Sequence, residues 1–267
     1  LKLFVTAQTP NCNRNVQPWV LPPRSMLQAT WLTLHRQTLP CGSFRACAST
    51  CATPRLRSYV PSAGTASSGS LVRCDASQAA LYEQILSDRG KTGAKAGFGV
   101  LNSDGSLAGP WNAWVGSPTI GAAIERVAYH CRHSSKCPMD LFEVGILTVS
   151  AAWKCQFEWF AHEKLALKAG VTPDAIESIR CCSDASEAAG MTDEQRAVYA
   201  YALELHRQKR VRDKTHAATL SAVGSEQALI DLVLTMGLYS QIAMQLNAFS
   251  IPLPPSEPLP FEEPSIE

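Results

Sequence analysis

The chain has no aspartate or glutamate before Asp75. The same stretch carries eight basic residues: Lys2, Arg14, Arg24, Arg36, Arg45, Arg55, Arg57 and Arg73. With 24 basic and 23 acidic residues in all, 16 basic residues face 23 acidic ones from Asp75 onward, a net charge of −7. The near-neutral total therefore hides a basic front on an acidic body. A body without clustered Lys and Arg excludes the phosphate electrostatics of nucleic-acid binding. Long hydrophobic runs are absent too. The best, Leu229 to Met244, is broken by Asp231 and Gln241, and none reaches the roughly 18–20 residues of a membrane span. No alternating apolar/polar segment stands out, which excludes a sheet-based fold.

Zinc-type cysteine spacing is also missing. Five of the ten cysteines (Cys12, Cys41, Cys47, Cys51 and Cys74) lie in the acid-free front, and five (Cys131, Cys137, Cys155, Cys181 and Cys182) in the body. His130 and His133 beside Cys131 and Cys137 are irregularly spaced, so no metal is expected. Without a sign of secretion, buried free thiols are expected rather than a disulfide framework.

The front is rich in Ser, Thr, Ala, Pro and Arg and has no sustained apolar period. Such a composition does not bury enough surface to offset the entropy of ordering. Residues 1–74 therefore read as a disordered leader. Being Arg-rich, Ser-rich and acid-free, it reads as a transit peptide for the chloroplast, with the mitochondrion as alternative. Met26 is a candidate initiator, and Leu71-Val72-Arg73-Cys74 a candidate processing site. Residues 75–267 are long enough for one domain with a real core.

In the body the apolar spacing is helical. Ala79, Leu81, Tyr82, Ile85 and Leu86 mark a helix ending at Gly90. Residues 91–116 are Gly-rich and loop-like, yet contain Trp111 and Trp114. Ser117 caps a helix with Pro118 at its first position, and Pro138 begins the next. Another runs through Phe157, Phe160 and Leu165 to Gly170. Thr172-Pro173-Asp174 opens a short one, and Thr192 with Gln195 forms a capping box for the next. A shorter helix begins near Asp213. The last, from Ser225 to about Asn247, is apolar nearly all round and so expected to be buried. The proline-rich tail after Phe249 is expected to be extended.

One region concentrates reactive groups: Glu143, then Cys155-Gln156-Phe157-Glu158-Trp159-Phe160-Ala161-His162. On one helix Glu158 and His162, four apart, share a face, and Cys155 falls on that face one turn earlier. Glu143, on the preceding helix, faces the stripe if the two form a hairpin. A carboxylate beside an imidazole raises its pKa and orients its tautomer, as general acid–base work requires. A surface Glu–His pair meets the same spacing.

These residues resemble the carboxymuconolactone decarboxylase-like family. The resemblance rests on Glu143-x-x-Ile146-Leu147, Phe157-Glu158-Trp159-x-x-His162, Ala169-Gly170-Val171 and Ile176. Upstream, Gly109-Pro110-Trp111-Asn112-Ala113-Trp114 and Ser117-Pro118 are similar to the family's opening segment. Downstream, Leu246-Asn247-Ala248-Phe249 and Pro252-Leu253-Pro254 resemble its last helix end. Covering about residues 78–262, it implies the all-α alkylhydroperoxidase D-like fold and a homotrimer or homohexamer. The family's peroxidase branch carries Glu, then Cys-x-x-Cys-x-x-x-His. Glu143, Cys155 and His162 match, but Glu158 stands where the attacking cysteine belongs.

The resemblance then implies a cofactor-free, lyase-like enzyme acting on a small carboxylated or lactone substrate. His162 as imidazolium would stabilise or protonate an enolate, Glu158 would orient it, and Glu143 would relay a proton. Trp111, Trp114 and Trp159 are the candidate substrate-binding walls. Two alternatives stand beside it: a thiol-dependent peroxidase using Cys155, and an oligomeric binding protein without catalysis.

Overall fold

The computed structural model describes residues 55–61, 71–96, 99–255 and 257–263. Most of the expected leader lies outside them. Among the described residues the architecture is α-helical: α1 (Ala76–Ala96), α2 (Trp111–Gly116), α3 (Pro118–Ser134), α4 (Met139–Ala152), α5 (Gln156–Ala169), α6 (Pro173–Arg180), α7 (Asp193–Gln208), α8 (Asp213–Val223) and α9 (Glu226–Ala248). Helix α4 is the axis. Its residues from Leu141 to Ala151 are all buried, and it packs against α5, α6, α7 and α9. A helix apolar on every side has no solvent face to offer, which fixes its central place. Gly145 lets α9 come close, since a Cβ there would meet Leu232 at 2.8 Å.

Several start and stop signals act as the sequence indicates. Thr192 and Gln195 form the reciprocal capping box of α7. Thr172 caps α6 by accepting from the Ala175 N–H, and Gly170 ends α5 in the left-handed conformation at φ 96°.

Other expectations are corrected. Helix α1 does not stop at Gly90 but runs to Ala96; one glycine costs a helix only about 1 kcal/mol, too little to end it by itself. The glycine-rich stretch holds α2, locked to α9 by Trp114 Nε1–H donating to Gln245 Oε1 (3.1 Å) and Gln245 Nε2–H to the Pro110 carbonyl (3.0 Å). The Ser117 side chain does not cap α3; its carbonyl accepts from the Gly121 N–H instead. Helix α9 is long and apolar enough to cross a membrane by length and composition alone, yet it packs against α3, α4, α5 and α8. It is not buried all round: Ile230, Leu234 and Met244 are each at least half exposed.

The expected boundary at residue 74 falls inside packed structure. Two three-residue strands, β1 (Ser58–Val60) and β2 (Leu71–Arg73), pair in parallel with Tyr59 opposite Val72. Three residues are too few to show alternation, so neither was legible as a strand. Val60 is buried, and Asn112 clasps β1 by accepting from the Tyr59 N–H and donating to the Arg57 carbonyl, both at 2.9 Å.

The proline-rich tail is extended but folds back on its own chain. Gln156 donates to the Phe261 carbonyl (2.8 Å) and accepts from its N–H (3.0 Å). The Phe261 ring packs edge-on against Trp159, centroids 5.2 Å apart.

Candidate active site

The turn between α4 and α5 sets the site. Lys154 adopts φ 48°, and the Cys155 N–H reaches back to the Ser150 carbonyl at 2.9 Å. Cys155 is thus the extended residue before α5, not a member of it. It is fully buried and shares no helical stripe with His162. The hairpin then lays Phe157, Glu158, Ala161 and His162 along one face of α5.

That face meets a cavity of about 80 Å³. Its walls include Trp111 and Trp114 from α2, Phe157 from α5, and Ile242 and Leu246 from α9; its polar groups are Arg89, Glu158, His162 and Tyr239. The expected roles of Trp111 and Trp114 as walls fit this geometry. Trp159 does not, because its ring is turned away onto Phe261 and is only 1% exposed. Cys155 does not line the cavity either.

The carboxylate that orients His162 is Glu143, not Glu158. Nδ1 of His162 lies 2.8 Å from Glu143 Oε2, while Arg132 Nη1 donates to Glu143 Oε1. Burial alone would raise the Glu143 carboxyl, but Arg132 and His162 outweigh it and hold it below its usual range. An ionised Glu143 only accepts, so His162 carries its proton on Nδ1 and keeps a lone pair on Nε2. Burial pushes His162 below its ordinary value, with Glu143 opposing in part. That shift disfavours the imidazolium expected from sequence and favours the neutral ring.

Glu158 is the reverse case. It is fully buried, and burial drives its carboxyl well above the usual range, only partly offset by Ser150. Ser150 Oγ lies 3.1 Å from Glu158 Oε1 and 3.0 Å from the Ile146 carbonyl. A hydroxyl has one proton for two acceptors. With the Glu158 proton on Oε1, Ser150 gives its own to Ile146; with Oε1 bare, Ser150 turns to donate to it. Glu158 Oε2 has no partner among the described residues.

Sequence reasoning missed three residues. Arg132, in the last turn of α3, reads as a solvated cation. Tyr239, edge-on to His162 with centroids 4.7 Å apart, looks like one more core aromatic of α9; burial pushes its hydroxyl up to about 12. Arg89 sits beside the false stop at Gly90. No pairwise spacing signals any of them.

Residues 118–204 match the model of the Carboxymuconolactone decarboxylase family. Over that segment, about a third of its length, the chain is similar to this family. The matched segment runs from α3 into α7 and contains Glu125, Arg132, Glu143, Glu158 and His162. Arg89, Trp111, Trp114 and Tyr239 reach the same cavity from outside it. The fold is the all-α alkylhydroperoxidase D-like one. It is shared by a structure described as an alkylhydroperoxidase AhpD core, an uncharacterized peroxidase-related protein from Ralstonia eutropha JMP134. The TM-score is 0.53 and the identity 16%, over 67% of this chain and 89% of that one. No curated protein matches significantly.

Proposed function

We propose that the His162 cavity is the active centre of an acid–base enzyme acting on a small carboxylated or lactone substrate, its chemistry supplied by side chains without a cofactor. The observation that carries this reading is the opposite displacement of two groups in one cavity. A neutral imidazole is a base, and a neutral carboxylic acid is an acid, at the same pH. Environments that push paired titratable groups apart in this way suit proton transfer.

In proton transfer next to a carbonyl, His162 Nε2 takes the proton from one carbon and Glu158 Oε2 gives one to the far carbon of the conjugated enolate; the imidazolium then loses its proton to water and the carboxylate regains one from it. In decarboxylation the bond to the carboxylate breaks, carbon dioxide leaves, and the electron pair remains as an enolate. Glu158 then protonates carbon. With the proton on Oε2, Ser150 already donates to Oε1, and that bond holds the resulting carboxylate, which recovers its proton from water. Relative to the sequence expectation, Glu143 and Glu158 exchange roles: Glu143 orients the base and Glu158 is the acid.

The thiol-peroxidase alternative fares worse. Burial first, and Glu158 second, push the Cys155 thiol far up, whereas a peroxide-attacking cysteine must be an accessible thiolate. The test is a panel of lactones, β-keto acids and hydroperoxides. His162→Ala and Glu158→Gln should each lose roughly 10²–10⁴-fold, and Cys155→Ser should keep most activity. Peroxide reduction that disappears with Cys155→Ser alone would overturn the reading. Wild-type inactivity across the panel would favour a non-catalytic binding protein.

We further propose homotrimer or homohexamer assembly through the apolar flank of α3 and α9, where Ile120, Val127 and Leu234 are exposed. A monomer by light scattering at micromolar concentration would refute it.

A further inference from the structure

Arg89 lies on α1, outside the family segment, and lines the same cavity. Its side chain is 12% exposed, and Nε donates to Glu125 Oε1 at 2.7 Å. Glu125 is itself buried, and the pair meets through one nitrogen and one oxygen only, Glu125 Oε2 having no partner among the described residues. Another nitrogen, Nη2, is buried and has no partner among the described residues. A buried guanidinium N–H without an acceptor is costly. The walls of Trp111, Trp114, Phe157, Ile242 and Leu246 supply none, and His162 and Glu158 are committed to proton transfer.

We infer that Arg89 anchors a carboxylate of the substrate. The ligand is then a small organic anion with its carboxylate on Arg89, an apolar body between the tryptophans, and its reacting carbon toward His162 and Glu158. Planar, multi-donor recognition of carboxylate is what guanidinium provides and ammonium does not. Glu125 is a positioning residue that fixes the plane of the fork through Nε.

This inference rests on reading the cavity as the active site, but its test needs no turnover. Binding of crotonate and benzoate would be compared with crotonamide and benzamide, which keep the shape and lose the charge. Calorimetry and the fluorescence of Trp111 and Trp114 report it in the full chain. Wild type should prefer each carboxylate roughly 10- to 100-fold, the range for a hydrogen bond to a charged group. Arg89→Gln should abolish that preference, and Arg89→Lys should restore only part of it. If Arg89→Gln unfolds by stranding Glu125, the Arg89→Gln/Glu125→Gln pair removes both charges and should behave as Arg89→Gln does. Equal binding of acids and amides by wild type, no binding of either carboxylate, or a preference that survives Arg89→Gln would overturn the inference. Because binding is read directly, failure of the acid–base reading in the His162 and Glu158 variants would leave this result standing, and the converse holds.

Discussion

Glu143 Oε2 stands 2.8 Å from Nδ1 of His162, and neither the carboxylate nor the imidazole has appreciable exposure. The same carboxylate faces Arg132, so three helices meet at one charge. Glu143→Gln should keep the shape but lose the fixed tautomer, lowering kcat by roughly 10²-fold. Glu143→Ala should also strand Arg132 as a buried cation and destabilise the fold by about 3–5 kcal/mol. Arg132→Met combined with Glu143→Leu should recover stability but not activity. Denaturant unfolding and steady-state kinetics separate the two effects; recovery of activity in the double variant would refute the assignment.

The rate should follow a bell in pH. His162 must be unprotonated to act as base, so activity falls as pH drops through its lowered pKa, below the ordinary histidine value of about 6.5. Glu158 must be protonated to act as acid, so activity falls as pH rises through its raised pKa. Glu158→Gln should remove the alkaline limb from whatever rate remains. A profile with its acid limb above pH 7 would contradict this.

Glu158 should also weaken the fold. Its folded pKa is raised, so its stabilising contribution is complete below the unfolded value of about 4.3 and is lost as pH rises through the folded one. Between those values the unfolded state gains by about 1.4 kcal/mol per pH unit. Glu158→Gln, a neutral isostere able to donate to Ser150, should therefore raise Tm at pH 7 to 8 and match wild type near pH 4. A variant less stable than wild type at pH 8 would refute the buried neutral acid.

Trp159 and Phe261 should matter for stability alone. Phe261→Ala should cost about 3 kcal/mol, the usual loss for a largely buried phenylalanine, with kcat unchanged in the folded protein. Limited proteolysis should then cleave the tail first. A substantial fall in kcat/KM without a fall in Tm would return Trp159 to the pocket wall.

The front boundary is testable by truncation. A chain starting at residue 55 should keep the stability of the full chain, whereas one starting at 75 loses β1, β2 and the clasp on Asn112. Asn112→Ala should show part of that loss, about 1–3 kcal/mol for the buried partners left unmade. If the leader is removed in a plastid, we propose that the cut falls ahead of Ser58. N-terminal sequencing of the mature protein checks this, and a start at Cys74 would refute it.

How far the sequence carried depends on the range of each signal. Pro118, Pro138, Gly170 and the Thr192–Gln195 box are local, and the helices they bound formed where expected. Glu143, Glu158 and His162 were also legible as neighbours, because they lie on two adjoining helices. Their pairing was not. Four-residue spacing placed Glu158 on the face of His162, but burial raises the Glu158 carboxyl and the hairpin brought Glu143 to the ring. Arg132, Tyr239 and Arg89 come from helices distant in sequence, where no periodicity records the meeting. Cys155 and Trp159 were misplaced for a local reason: one left-handed residue, Lys154, delayed the start of α5, and the tail captured the tryptophan.

Helix α9 turns two opposite sides to two different surroundings. Tyr239, Ile242 and Leu246 fall within about 60° of one another at 100° per residue. Ile230, Leu234 and Met244 cluster on the reverse side. Substitution on the outer side changes what the helix meets outside without altering the cavity wall. What the outer side meets and what the cavity admits are thus separately adjustable by sequence drift along a single helix.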